Sequence, residues 1–184
     1  MPQSFAQCSV YLHPAHDLTL EDIQPLITEL QKFNFISQAM NKPDCDDYFT
    51  GDKFLDYIAY MGCAPTIQFE ATKNGDNFCF IKIHNYSTSE LIHSQKQARA
   101  PRCPNCKKPV KNWQDARSAT TIRCDQCEAV SNIENFNWRK MAGYARLFIE
   151  VTDIFPKEAI PQQMLLDELA DITGVEWVYF YSCG

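Results

Sequence analysis

Four cysteines stand in two tight pairs, Cys103-Pro-Asn-Cys106 and Cys124-Asp-Gln-Cys127. Seventeen residues lie between the pairs. Each C-x-x-C turn can aim two thiolates at one point, and two such turns complete a tetrahedron around Zn²⁺. Four thiolates can also hold iron. A site closed by four cysteines has no open position for water or substrate, so one such zinc is structural rather than catalytic. A segment this short, with few apolar side chains, needs that metal to fold. Val110, Trp113 and Ile122 are the expected small core beside it. A thioredoxin-like redox role would use one pair before a helix, whereas here two pairs occur in polar, basic sequence.

With its two knuckles, the segment over about residues 100–130 resembles the zinc-ribbon family. The resemblance implies one zinc gripped at the ends of short β-hairpins. It covers about a sixth of the chain and carries no particular function.

The other cysteines are Cys8, Cys45, Cys63, Cys79 and Cys183, which makes nine in all. Cys8 alternates with Val10 and Leu12, and Cys79 with Ile81 and Ile83, so both read as inward-facing strand residues acting as small hydrophobes. Cys183 lies beside the chain end and reads as mobile. Cys45 sits among Asp44, Asp46 and Asp47, whose charges oppose thiolate formation. Cys63 follows an expected helix end, the wrong pole to stabilise a thiolate, and reads as structural. As an enzyme nucleophile it would need a base, for which His84 is the nearest candidate. His13 and His16 read as neutral loop histidines rather than metal ligands. The aspartates at 44, 46 and 47 lack the glycine and glutamate of a calcium loop and read as a solvated loop. There is no G-x-S-x-G, no P-loop and no G-x-G-x-x-G.

Charge is divided unevenly. Residues 96–140 hold ten Lys/Arg against four Asp/Glu, and the rest of the chain holds seven against nineteen. An acidic body of net −12 thus carries a basic segment of +6, for a total of −6. Three readings follow. The segment meets an anionic partner through Arg102, Lys107, Lys108, Lys111 and Arg117, with Trp113 free to stack on a base. Its cations neutralise the four thiolates. Or it docks on its own acidic body. Overall acidity works against general nucleic-acid affinity.

These residues must be positioned by a scaffold. At 184 residues the chain buries a sizeable core without needing disulfides. No apolar run reaches membrane-spanning length, the start has no signal-peptide pattern, and the expected location is cytoplasmic. Alternation predicts a strand from Phe5 to Leu12. Helical spacing predicts a helix over 19–33, with Thr19 as N-cap and Pro25 either bending it or delaying its start. Residues 41–49 read as loop. A short helix is expected over 52–61, closed by Gly62. Ile67 to Thr72 and Phe78 to Tyr86 alternate around Asn74-Gly75, a predicted β-hairpin. A linker follows near 90–100. Strands over 145–151 and 175–181 flank a helix over 161–172 that Gly174 closes.

A faint repeat, offset by 139 residues, relates Val10 and the helix at Pro25-Leu26 to Ile149 and the helix at Met164-Leu165. Strand and helix therefore recur at both ends. The expected class is α+β: a ferredoxin-like split β-α-β scaffold, residues 1–95 and 141–184, into which residues 96–140 insert as a four-cysteine zinc ribbon. The expected role is a non-enzymatic interaction module that presents the basic ribbon to another protein, with the aromatic C-terminal strand able to pair copies of the chain. The alternatives are nucleic-acid binding through the ribbon and an enzyme with a pocket near Cys63.

Overall fold

The computed structural model describes residues 7–61, 67–71, 73, 77–94, 99–116, 120–155 and 158–184. Cys63, Gly62, the Asn74-Gly75 turn and Arg117 lie outside the described residues.

The chain is mixed α+β. Its strands are β1 (Cys8–Pro14), β2 (Ile36–Ala39), β3 (Asp46–Thr50), β4 (Ile58–Tyr60), β5 (Ile81–His93), β6 (Thr121–Arg123), β7 (Val130–Asn132), β8 (Ala142–Ile154), β9 (Ala159–Pro161) and β10 (Trp177–Cys183). The helices are α1 (Gln24–Lys32), the single turn α2 (Phe54–Tyr57) and α3 (Gln163–Thr173). Six strands form one antiparallel sheet in the order β10-β1-β8-β5-β3-β2. Two small sheets pair β4 with β9 and β6 with β7.

Alternation explains the central strands. Val10 and Leu12 of β1, Ile81 and Ile83 of β5, and Ile149 and Val151 of β8 are buried in one cluster. Leu26, Ile27 and Leu30 of α1 and Leu165 and Leu169 of α3 complete that core from the helix side. The intervening strand residues point to the opposite face, because the side-chain period of a strand is two. Ser9, Tyr11, His84 and Glu150 therefore stand away from the helices.

The two longer helices begin and end for local reasons. Pro25 sits in the first turn of α1, where no backbone donor is lost. The helix starts there rather than at Thr19, and the Asp22 carboxylate accepts from the Gln24 N–H at 2.9 Å. Gly174 closes α3 in the left-handed region at φ 75°, and its N–H reaches Ala170 O at 2.7 Å.

Several expectations are corrected. Residues 67–69 form no strand, and among the described residues one backbone bond ties them to the run after the expected turn, Cys79 N–H to Gln68 O at 2.7 Å. β5 pairs instead with β8 and β3. The helix over 52–61 shrinks to one turn and passes into β4. The polar stretch at 41–49 contains the start of β3, and Asp47 there is buried and held by Lys42 Nζ at 3.2 Å. The linker near residue 90 is the end of β5. His13 is a buried residue of β1 rather than a loop histidine.

Cys8 and Cys183 are neither isolated nor mobile. They face each other in the β1–β10 register and form a disulfide across 175 residues of chain. Tying the two ends of a chain removes conformational freedom from its unfolded state. Among the described residues no helix is long and apolar enough to cross a membrane.

Candidate metal centre

Residues 99–116 and 120–141 connect β5 to β8, which are themselves neighbours in the sheet. This connection has its own core of Cys103, Val110, Trp113, Ile122, Cys124, Ile133 and Phe136. The expected minicore of Val110, Trp113 and Ile122 lies within it. Leu91 and Tyr144, from the facing ends of β5 and β8, pack against it. Trp113 meets His93 edge-on at 5.1 Å and Trp138 at 5.4 Å between ring centroids. Among the described residues no ion pair joins this segment to the rest of the chain; besides these side chains, Tyr181 N–H donates to Lys140 O at 3.3 Å and the Lys140 ammonium stands 4.7 Å from the Tyr179 ring centroid.

The two C-x-x-C turns have the same local geometry. Cys103 N–H donates to Lys108 O at 3.0 Å, and Cys124 N–H to Ala129 O at 2.9 Å. Lys107 N–H returns to Cys103 O, and Glu128 N–H to Cys124 O, each at 3.0 Å. Lys107 and Glu128, each directly after its second cysteine, adopt the left-handed φ of 62°. That conformation costs a side-chain-bearing residue about 1–2 kcal/mol, so something else in the turn must hold it. Backbone N–H groups also point at sulfur: Asn105 to Cys103 Sγ and Gln126 to Cys124 Sγ, both at 3.4 Å.

The four sulfurs lie within 4.8 Å of one another. Cys103 Sγ is 3.8 Å from Cys127 Sγ, and Cys106 Sγ is 3.7 Å from Cys124 Sγ. A tetrahedron with metal–sulfur bonds of about 2.3 Å has edges of about 3.8 Å. The donor set and its spacing therefore fit a tetrahedral thiolate-bound metal. Hydrogen bonds from the Asn105 side-chain amide and the Ala129 backbone favour the ionised form of the Cys127 thiol. Metal binding needs that ionised form.

Arg102, Lys107, Lys108 and Lys111 are all exposed on this segment. Lys107 Nζ donates to Pro104 O at 2.6 Å. Trp113 differs from them: it is 3% exposed, and no face of its ring is open for a base. Cys45 is an exposed free thiol, and Cys79 is buried with its thiol pushed up to about 12.

A second polar cluster has no counterpart in the sequence reading. On the sheet face opposite the helices, Glu150 is buried and accepts from Ser9 Oγ at 2.7 Å and His84 Nε2 at 2.8 Å. His84 is stacked between Tyr11 and Tyr86. The cluster draws on three strands, and only β-register brings it together. Burial pushes the Glu150 carboxyl up, but the bonds from His84 and Ser9 outweigh it and leave the group below its ordinary range. The folded state thus binds this proton less well than the unfolded state. The resulting stability is present above the ordinary carboxylate range and is lost as pH falls through the folded-state value. Replacing Glu150 with Gln is expected to flatten the acid side of a thermal-melt-against-pH profile. An unchanged acid slope would place the titration elsewhere.

No protein-family model, curated protein sequence or solved structure matches the chain.

Proposed function

We propose that Cys103, Cys106, Cys124 and Cys127 hold one structural Zn²⁺, and that residues 96–140 form a zinc ribbon serving as an interaction module. The observation that carries this reading is the pair of matching knuckles with sulfurs at tetrahedral-edge spacing. When bound, zinc would supply a rigid crosslink of net charge about −2 with its thiolates, and no reactive position. Residues 96–140, at +6 by sequence, would then keep a net charge of about +4.

The scaffold, residues 1–95 and 141–184, is read as ferredoxin-like. The support is the order β10-β1-β8-β5, with helix α1 following β1 in sequence and α3 lying between β8 and β10. In this reading β2 and β3 are an added edge hairpin, and the ribbon lengthens the β5–β8 connection.

The partner proposed for the basic tip is another protein with an acidic face. Nucleic acid is the second reading. It rests on the four exposed cations alone, because Trp113 is occupied inside the ribbon. Metal analysis of the purified chain is expected to give one zinc per chain and a colourless protein, since zinc is d¹⁰ and inert to redox. Less than about half an equivalent, with all four thiols freely titratable, would end the zinc reading. A coloured protein with bound iron would replace zinc while keeping the site.

A further inference from the structure

The two knuckles match position by position, and one bond breaks the match. Cys103 and Cys124, the first cysteine of each, are buried, while Cys106 and Cys127, the second, are half-buried. Each sulfur of the inner pair receives a backbone N–H, from Asn105 at Cys103 and from Gln126 at Cys124. Each sulfur of the outer pair receives one as well, from Lys108 at Cys106 and from Ala129 at Cys127. In backbone bonding the two halves are equivalent.

The side chains are not equivalent. Asn105 Nδ2 reaches across to Cys127 Sγ at 3.5 Å. A thiolate can only accept, so the amide presents an N–H there. Asn105 thus bonds a sulfur of its own knuckle through its backbone and a sulfur of the other through its side chain. Gln126 holds the corresponding place in the second knuckle, yet its Nε2 donates to Asp125 Oδ2 at 3.2 Å instead. The residue before each explains the difference. Pro104 offers no side-chain acceptor, whereas Asp125 offers a carboxylate. Among the described residues no side-chain N–H reaches Cys106 Sγ.

Such a bond acts on a thiolate ligand in two ways. It draws charge from the sulfur, and a hydrogen bond to an ionised acceptor is roughly twice as strong as one between neutral groups. It also fixes where the sulfur points. Outer partners of this kind are worth about 10–100-fold in metal affinity, and Asn105, being exposed, belongs at the low end of that range. Of the two half-buried sulfurs, Cys127 has this restraint and Cys106 does not.

We infer that Asn105 is a positioning residue that clamps Cys127 across the knuckles, and that Cys106 is in consequence the ligand that opens first to a soft electrophile. This order among the ligands rests on the zinc reading above. Attack at Cys106 makes a carbon–sulfur bond from the thiolate electron pair, and the leaving group departs with the pair of the bond that breaks, as iodide does from iodoacetamide. The alkylated sulfur has given up its negative charge and is a poor ligand, so the ribbon loses its metal from this corner.

The test is limited alkylation of the zinc-loaded full chain by iodoacetamide at neutral pH, with the modified cysteines located by mass spectrometry. Cys45, an exposed free thiol, reacts in every sample and serves as internal standard. Cys106 is expected to react about fivefold faster than Cys127, or more. In Asn105→Ala that ratio should fall to about one, and zinc affinity, read by competition with a chromogenic chelator, should fall about tenfold. In Gln126→Ala both readings should stay within about twofold of the parent, because that side chain reaches no sulfur. Equal rates in the parent, Cys127 reacting first, a ratio unchanged in Asn105→Ala, or equal losses in the two variants would overturn the inference and leave the zinc reading standing. A parent that holds less than about half an equivalent of zinc would overturn both.

Discussion

Replacing Cys106 with Ser, or stripping the metal with a chelator, is expected to unfold the segment from Arg99 to Asn137 while the six-stranded sheet stays folded. The core of that segment has seven buried residues, and two of them, Cys103 and Cys124, are themselves ligands. Its regular strand structure amounts to three residue pairs between β6 and β7. A two-stranded hairpin of that size does not hold itself in water. Structural zinc contributes about 10–16 kcal/mol of apparent binding free energy near neutral pH, far more than the hairpin and its small core can supply. Among the described residues the sheet has a separate core that shares no buried residue with this segment. The two meet through Leu91, Tyr144 and the ring of His93, which are too few to carry one cooperative unit. Amide exchange reads the outcome residue by residue. Val110 and Ile122 should lose protection on chelation, while Ile149 and Val151 keep theirs. Loss in both places would mean that ribbon and sheet fold as one. Loss in neither would mean that the metal does not hold the ribbon.

The four-cysteine cluster was legible because its information is local. Each knuckle is four residues long, and the thiol spacing within it determines what it can grip. Helix α3 was legible for the same reason, with apolar periodicity and Gly174 as its stop. Other elements hide their signal. β2 has four residues and buries one of them, and β3 places Asp47, a buried aspartate, in a sheet. Polar composition there reads as loop, because the ion pair to Lys42 that makes burial tolerable is invisible in a residue pattern. The alternation over 67–72 misled in the opposite direction. It met the period of a strand without a neighbour to complete the ladder, since β5 is already paired on both sides.

What remained unread depends on register. Ser9, His84 and Glu150 are each ordinary residues in their own strands. They meet because β8 lies between β1 and β5, with Glu150 opposite Tyr11 on one side and Lys82 on the other. The packing of His13 over Gly143 and against Phe148 and Phe180 has the same origin. The disulfide is the extreme case: no spacing rule links cysteines 175 residues apart, and only the β1–β10 pairing puts them face to face. The basic segment is plain as a charge pattern, yet among the described residues no ion pair attaches it to the body. Leu91, Tyr144 and the ring of His93 pack against its core instead.

Deleting residues 176–184 is expected to leave the chain unable to fold. β10 is an edge strand, yet it pairs with β1 at seven positions and carries Trp177 and Phe180, both essentially buried. Truncating a buried Trp or Phe costs about 3–5 kcal/mol each. The deletion also removes the crosslink to Cys8. For a loop of 175 residues, chain entropy gives that bond at most about 5 kcal/mol. Together these losses match or exceed the whole stability of a typical domain, about 5–15 kcal/mol. They also expose the edge of β1, a hydrophobic strand next to the sheet centre, to pairing with other chains. Insoluble protein without a cooperative melt is the expected result. A soluble truncation with a sharp thermal transition would show that β10 is dispensable. The single variant Cys183→Ser separates the two contributions. It keeps Trp177 and Phe180 and should fold, with a lower midpoint than the oxidised parent. Under reducing conditions, where the parent's bond is also open, the two midpoints should converge. A variant as stable as the oxidised parent would assign the role of β10 to packing alone.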